Sequence, residues 1–468
     1  MDVGSSSVRG MLADGQGLAR PGTRSRFPYE IARDPDGCAE IEPELLVGLV
    51  ERVVAKAIHG IREPVAAVGV SAFWHSLIGL DERGTPTTPV LLWSDTRAWR
   101  QAEQLRDELD PAAVRGRTGA PIHPCYWPAK LVWLHRSQPA VWRRTRHWVS
   151  FPDLLFLRWF GQLGTSRSMA SGTGLLGLAG GWDPELLERV DLDPARLPDR
   201  VEEMSGLRPP YANRWPQLRR IPWLTARGDG ALANLGSGCL DPSRRALTLG
   251  TSGAIRVVTA RPPRSLAPGL WCYMVDHEQY LVGGSLSNGG NLWAWMERTL
   301  RLDRRGLEGR LRRLSPGSGP DFLALLAGER SPGFAPRARG ALAGLTLTTT
   351  PEEIARAGME AVAVAFARVD AALDRSVPGA GELVGGGGAL HASPVWAQML
   401  ADATGKPVTL AAEFEASLRG AALIALARAG IRVPSRPRGG RLVRPDPDAH
   451  RAYKEVAKRQ AHLYELLI

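Results

Sequence analysis

Two short turns constrain this 468-residue chain more than any other feature. It opens on "DVGSSSVRGMLADGQG", which reads as strand, Gly/Ser turn, strand and a tight turn. From residue 246, "ALTLGTSGAIRVVTA" repeats strand, Gly/Thr/Ser/Gly turn, strand. Neither turn runs into a helix, which separates both from the G-x-x-x-x-G-K-[ST] and G-x-G-x-x-G phosphate loops. Small side chains leave backbone N–H groups open to a phosphate. One such turn is also compatible with an ordinary N-terminal loop. Two of them, about half a chain apart, predict an internally duplicated protein with one phosphate-binding turn per domain and a nucleotide in the cleft between.

Size and charge agree with that plan. With 468 residues, 44% of them hydrophobic, the chain exceeds what a single core organises, so two domains are expected. No run of about 18 apolar residues and no basic-then-apolar leader is visible, so a cytoplasmic protein without a membrane partner is expected. Cys38, Cys125, Cys239 and Cys272 never form a C-x-x-C pair and read as reduced thiols. The net charge of +11 comes from arginines spread through every segment, not from a basic block, so no nucleic-acid partner is expected. A positive field of this kind favours anionic small molecules.

Strands and helices intersperse, giving the α/β class. "AAVGVSAF" at 66–73 reads as a strand. "PELLVGLVERVVAKAIHGI" pairs Leu45/Leu46, Leu49/Val50, Val53/Val54 and Ala57/Ile58 on one helical face. Thr350, Pro351 and Glu353 supply an N-cap, a first-turn proline and the far half of a capping box. The tail places Tyr453, Val456, Ala457, Tyr464 and Leu467 on one side of a terminal helix.

Several segments, in order, resemble the FGGY carbohydrate kinases, part of the actin-like ATPase superfamily: "DVGSSSVRG", "LLWSDTRA", "GDGALANLGSG", "TLGTSGA", "GGSLSNGGN", "GERSPGFAP", "GGGALHASPVWAQMLADATGKPV" and "EASLRGAAL". The resemblance spans nearly the whole chain. It implies two actin-like (ribonuclease H-like) ATPase domains, expected at 1–240 and 241–468, that close on a sugar or polyol, ATP and Mg2+. Phosphoryl transfer to a hydroxyl needs a carboxylate to accept the proton, and Asp229 matches the family's base. Gly228 and Gly230 then leave room for a bulky substrate. Asp229 also reads as the N-cap of the helix that follows, and the two roles are compatible.

By the same resemblance Asp2 and Asp229 serve the metal. Gly4, Ser5 and Ser6 form the first phosphate turn, and Arg9 lies where some relatives direct an arginine at the phosphoryl group. Gly250, Thr251, Ser252 and Gly253 form the second turn. Gly386, Gly387 and Gly388 let adenine lie against the backbone. Trp74, His75, Asp95 and Arg97 fall in the segment that lines the sugar pocket in relatives, beside Trp93.

"WHSLIGLDERGTPTTP", "TGAPIHPCYWPAKLVWL", "SRSMASGTGLL" and "GGSLSNGGNLWAWM" are most similar to gluconate kinases, implying D-gluconate as acceptor and 6-phosphogluconate as product. A carboxylate substrate asks for a cation or imidazole, and His75, His123, Arg97 and Lys130 are the candidates. The alternatives are a xylulose, glycerol or other sugar kinase, an actin-like or chaperone-like ATP-binding protein, and a catalytically impaired relative. The one protein partner left open is a second copy of the chain, in a homodimer. One departure stands out: relatives carry several apolar residues before the first Asp, whereas Met1 adjoins Asp2 here. Two readings follow: either the start is assigned too late, or the first strand is truncated and the metal site poorly anchored.

Overall fold

The computed structural model describes residues 1–379, 381–411, 415–433 and 440–468. Asp2–Gly4 (β1) and Ser7–Gly10 (β2) pair antiparallel through the first turn, and Ser25–Pro28 (β3) joins β2 antiparallel. On the other side of β1, Ser71–Ala72 (β4) and Arg227–Gly228 (β5) follow in parallel, so the sheet order is β3-β2-β1-β4-β5.

A second sheet repeats this plan. Arg244–Leu249 (β6) and Gly253–Thr259 (β7) form its hairpin, and Trp271–Met274 (β8) and Tyr280–Leu286 (β9) extend it antiparallel. Glu382–Gly386 (β10) and Val408–Ala411 (β11) lie parallel beyond β6, and Gly440–Val443 (β12) closes the edge in the order β8-β9-β7-β6-β10-β11-β12. In each sheet the strand entering the turn is central, its hairpin partner folds back, and parallel strands follow on the far side. The duplication expected from two turns is a duplication of topology.

Seven helices matter for the cleft: Pro43–Ile58 (α1), Trp127–Ser137 (α2), Asp229–Gly236 (α3), Pro351–Ser376 (α4), Gly388–Ala392 (α5), Ala416–Arg428 (α6) and Pro447–Leu467 (α7). The apolar face of α1 buries Leu46, Leu49, Val50, Val53, Val54, Ala57 and Ile58, while Leu45 stays 50% exposed. The buried stripe is thus narrower than the pairing in sequence suggests. Both hydrogen bonds of the capping box between Thr350 and Glu353 form at the start of α4. In α7, Tyr453, Val456 and Gln460 are buried and the Tyr464 hydroxyl donates to Glu329 at 2.6 Å, but Leu467 faces solvent.

The segment at 66–73 departs from expectation, because only Ser71 and Ala72 pair as a strand. The reason is its neighbour. β1 is three residues long and pairs with this segment only through Asp2–Ser71 and Val3–Ala72. The first strand is short as expected, yet its carboxylate is firmly held. Ser71 Oγ donates to Asp2 at 2.6 Å, Ser417 Oγ donates to its other oxygen at 3.0 Å, and Phe73 N–H donates to the Val3 carbonyl at 2.9 Å. The expectation of a poorly anchored Asp2 is corrected by that network, which draws Ser417 from the second half of the chain.

Two of the seams between the halves frame the cleft. α3 and α6 cross with backbone nearly touching backbone: a Cβ on Gly236 would lie 1.8 Å from the Ala416 carbonyl oxygen, and one on Gly420 would lie 2.0 Å from that of Leu232. β8 leans on the first half, where Cys272 N–H donates to the Gly119 carbonyl at 2.8 Å and Met274 N–H to Ser171 Oγ at 2.9 Å. Between these seams the two turns face a common cleft. All four cysteines are buried and free, and among the described residues no helix is long and apolar enough to cross a membrane.

A candidate active site in the cleft

Both turns, Asp2, Arg9, Asp229, Trp74 and His75 line one cleft of about 290 Å³. Asp229 is the first residue of α3, with Gly228 at the cap position, and its Oδ1 accepts from Gly230 N–H at 2.7 Å. It is therefore not the N-cap, and its carboxylate is available to the cleft. Burial, then repulsion from Asp2, push its pKa up to about 6, with Arg256 working in the opposite direction. At neutral pH it is a carboxylate with raised basicity.

Gly228 and Gly230 do not leave room for a substrate. A Cβ on Gly228 would lie 1.8 Å from the Trp74 ring, and one on Gly230 2.8 Å from it. The indole occupies that space and donates from Nε1 to the Ser168 carbonyl at 2.9 Å. Trp74 also meets edge-on a pair from β8, Trp271 and Tyr273, whose rings stack 4.3 Å apart. Three aromatic side chains from both halves thus form one wall, suited to the C–H face of a polyol.

The second turn is braced from behind. Gly290 N–H donates to the Gly250 carbonyl at 2.7 Å and Asn291 N–H to that of Thr251 at 3.0 Å, while the side chains of Thr251 and Ser252 stay accessible. The glycine run abuts it: Gly386 pairs with Thr248 on β6, and Gly387, at φ 99°, would place a Cβ 2.4 Å from the Leu249 carbonyl oxygen. A Cβ on Gly386 or Gly388 would meet nothing within 4 Å, so open space adjoins the turn.

The sugar-side candidates separate into two groups. His75 is held at φ 68° with Nδ1 hydrogen-bonded to the Gly172 carbonyl, which can only accept, so Nδ1 carries the proton. Burial drives its pKa down to about 3, and the neutral ring offers the lone pair of Nε2. That suits a hydroxyl donor, not a carboxylate. Asp95 and Arg97 do not line the cleft. They pair with each other at 2.6 Å, and Arg97 also reaches Glu40 at 2.8 Å. Lys130, 1% exposed, donates to the carbonyls of Leu92 at 2.7 Å and His75 at 3.1 Å, tying two cleft loops together. His123 is buried and kept neutral, with Nδ1 accepting from Cys125 N–H at 3.2 Å.

Two cleft-lining arginines of the second half, Arg256 and Arg330, were not singled out by the sequence. Arg256 donates to Asn234 Oδ1 at 3.2 Å and Thr248 Oγ1 at 2.8 Å. The available signal was a lone charge inside the apolar run "AIRVV". Among the residues lining the cleft, Asp2 and Asp229 are the carboxylates that could hold a divalent cation. Hard oxygen donors suit Mg2+, and a cation near both would relieve the repulsion that raises Asp229.

Residues 1–236 match the model of the FGGY family of carbohydrate kinases, N-terminal domain, and residues 246–429 match that of its C-terminal domain. The gluconokinase of Bacillus subtilis (strain 168) is 28% identical over 448 residues, 92% of this chain and 87% of that protein. The crystal structure of gluconate kinase from Lactobacillus acidophilus superposes with a TM-score of 0.90 at 26% identity, covering 100% of this chain and 97% of the other. That of ligand-bound xylulose kinase from the same organism gives 0.92 at 26% identity and the same coverage. The two repeated sheets are the actin-like ATPase domains of that two-domain kinase fold.

Proposed function

Because this chain belongs to the FGGY family of carbohydrate kinases, we propose that it transfers the γ-phosphoryl group of ATP to the terminal hydroxyl of D-gluconate, giving ADP and 6-phosphogluconate. The observation that carries the reading is Asp229, a carboxylate of raised basicity in the cleft between two phosphate-type turns, one from each half. Similarity to gluconokinases over most of the chain supports the choice of acid. The domains divide near residue 240, and the reaction belongs to the cytoplasm.

In this reading Asp229 accepts the acceptor's hydroxyl proton as its oxygen bonds to the γ-phosphorus and the bond to the ADP oxygen breaks. Gly4, Ser5 and Ser6 hold the transferred group, with Arg9 neutralising charge beside it. Gly250, Thr251, Ser252 and Gly253 hold the remaining phosphates, and adenine lies on Gly386, Gly387 and Gly388. Mg2+ bound through Asp2 and Asp229 would offset phosphate charge. His75 Nε2 accepts from an acceptor hydroxyl, and the aromatic wall of Trp74, Trp271 and Tyr273 covers its carbon chain.

A coupled ADP-release assay over gluconate, xylulose, ribulose, glycerol, fuculose and erythritol tests the proposal. Gluconate should give the highest kcat/KM. A tenfold advantage for xylulose or glycerol would leave a sugar kinase with a different acceptor, and sugar-independent hydrolysis would replace the kinase reading altogether.

A further inference from the structure

A sugar acid brings a carboxylate into the cleft, and the structure removes most groups that could receive it. Arg97 is committed to Asp95 and Glu40. Lys130 is committed to two backbone carbonyls. His75 and His123 are neutral. Arg9 lies 3.6 Å from Asp2 at the phosphate end, and Arg256 is fixed by Asn234 and Thr248 beside Asp229.

Arg330 remains, and its setting is unlike the others. Its guanidinium carbon lies over the Trp93 ring, 4.3 Å from the ring centre, a contact between the two halves of the chain. Nη2 donates to the Leu286 carbonyl at 2.8 Å, while Nε is buried with no hydrogen-bond partner. No ion pair holds it among the described residues, and Asp229 is the carboxylate whose charge reaches it. Arg330 lines both the Asp229 cleft and the adjoining groove that holds His123. Its neighbour Glu329 is tied to Tyr464 on the other side. A cation desolvated without a counter-charge is costly to keep, and a planar fork held by an aromatic face is a built receptor for a carboxylate.

Resting on the gluconate reading above, we infer that Arg330, from the second half of the chain, is the residue that binds the acceptor's carboxylate over Trp93, with the terminal hydroxyl directed at Asp229. Acid specificity and the approach of the two halves are then one event, since the acid joins a cation of one half to the pocket of the other.

The test compares wild type, Arg330→Gln and Arg330→Lys by calorimetry with D-gluconate, with the neutral D-glucitol of equal length, and with a non-hydrolysable ATP analogue. Arg330→Gln should weaken gluconate by roughly tenfold to hundredfold, the scale of a lost charge-assisted hydrogen bond. D-glucitol and the ATP analogue should change by no more than about twofold, and Arg330→Lys should fall between wild type and Arg330→Gln. Unchanged gluconate affinity overturns the assignment, as does an equal loss for D-glucitol or a loss of ATP-analogue affinity. If Arg330→Gln fails to fold by circular dichroism, Arg330→Lys carries the same comparison, with loss of acid-over-polyol preference required. A wild type that turns over xylulose and does not bind gluconate sinks the substrate reading itself. A gluconate-binding wild type with indifferent variants sinks only Arg330.

Discussion

Asp229 is held against its own solvation. Its folded-state pKa, about 6, lies above its ordinary value of 3.8, so the native state binds this proton more tightly than the unfolded chain. Stability is therefore lost as pH rises from about 4 to 6, and the loss is complete above that. Asp229→Asn should lower kcat by at least ~100-fold with ATP and acceptor binding kept. The same variant should melt higher than wild type at pH 7.5, by up to ~3 kcal/mol, with the gain shrinking toward pH 4. Calorimetric melts of both proteins at the two pH values check this, and a destabilised variant at pH 7.5 would refute it. In wild type, kcat/KM should rise with pH through about 6 as the base ionises. Lys130→Met should strand two buried carbonyls, costing about 2–4 kcal/mol and raising the acceptor KM more than the ATP KM, readable by urea melts and initial rates. Residue roles were unevenly legible in the sequence. Asp229 was singled out by the family resemblance of its segment, yet the glycines beside it make way for Trp74, and Asp95 and Arg97 have polar chemistry that they use on each other. Whether an arginine is paired or open depends on what the fold brings beside it, so Arg97 and Arg330 could not be told apart from their neighbours in the chain.

At the scale of elements, the hairpins, α1, α4 and α7 follow from local signals: small-residue turns, an apolar stripe and a capping box. The strand at 66–73 did not, because strand length is set by the partner, and β1 pairs with it only through Asp2 and Val3. The crossing of α3 over α6 was also invisible, since Gly236 and Gly420 are ordinary small residues until their backbones are brought together. Gly420→Ala should force the helices apart, lowering stability by about 2–4 kcal/mol and reducing kcat, because α3 begins with Asp229. Denaturant unfolding and steady-state rates measure both; a variant with native stability and turnover would mean that the crossing yields without moving the carboxylate.

For the molecule as a whole, each half contributes one turn, so phosphates can be gripped from both sides only if the halves approach. Small-angle scattering should show a smaller radius of gyration with gluconate and a non-hydrolysable ATP analogue together than with either alone. An unchanged radius, with binding confirmed by calorimetry, would exclude a closing motion. The seam between the halves has a further meaning for how such chains can evolve. The sheets repeat one topology, yet Ala416 and Gly420 sit in one half and Leu232 and Gly236 in the other, each glycine bare because a backbone from across the seam fills its place. Recombination that exchanged one half for that of a diverged homologue would import a second half selected against a different first half. The two modules are fitted to each other at this crossing, and exchange between lineages should succeed only when both of its sides travel together.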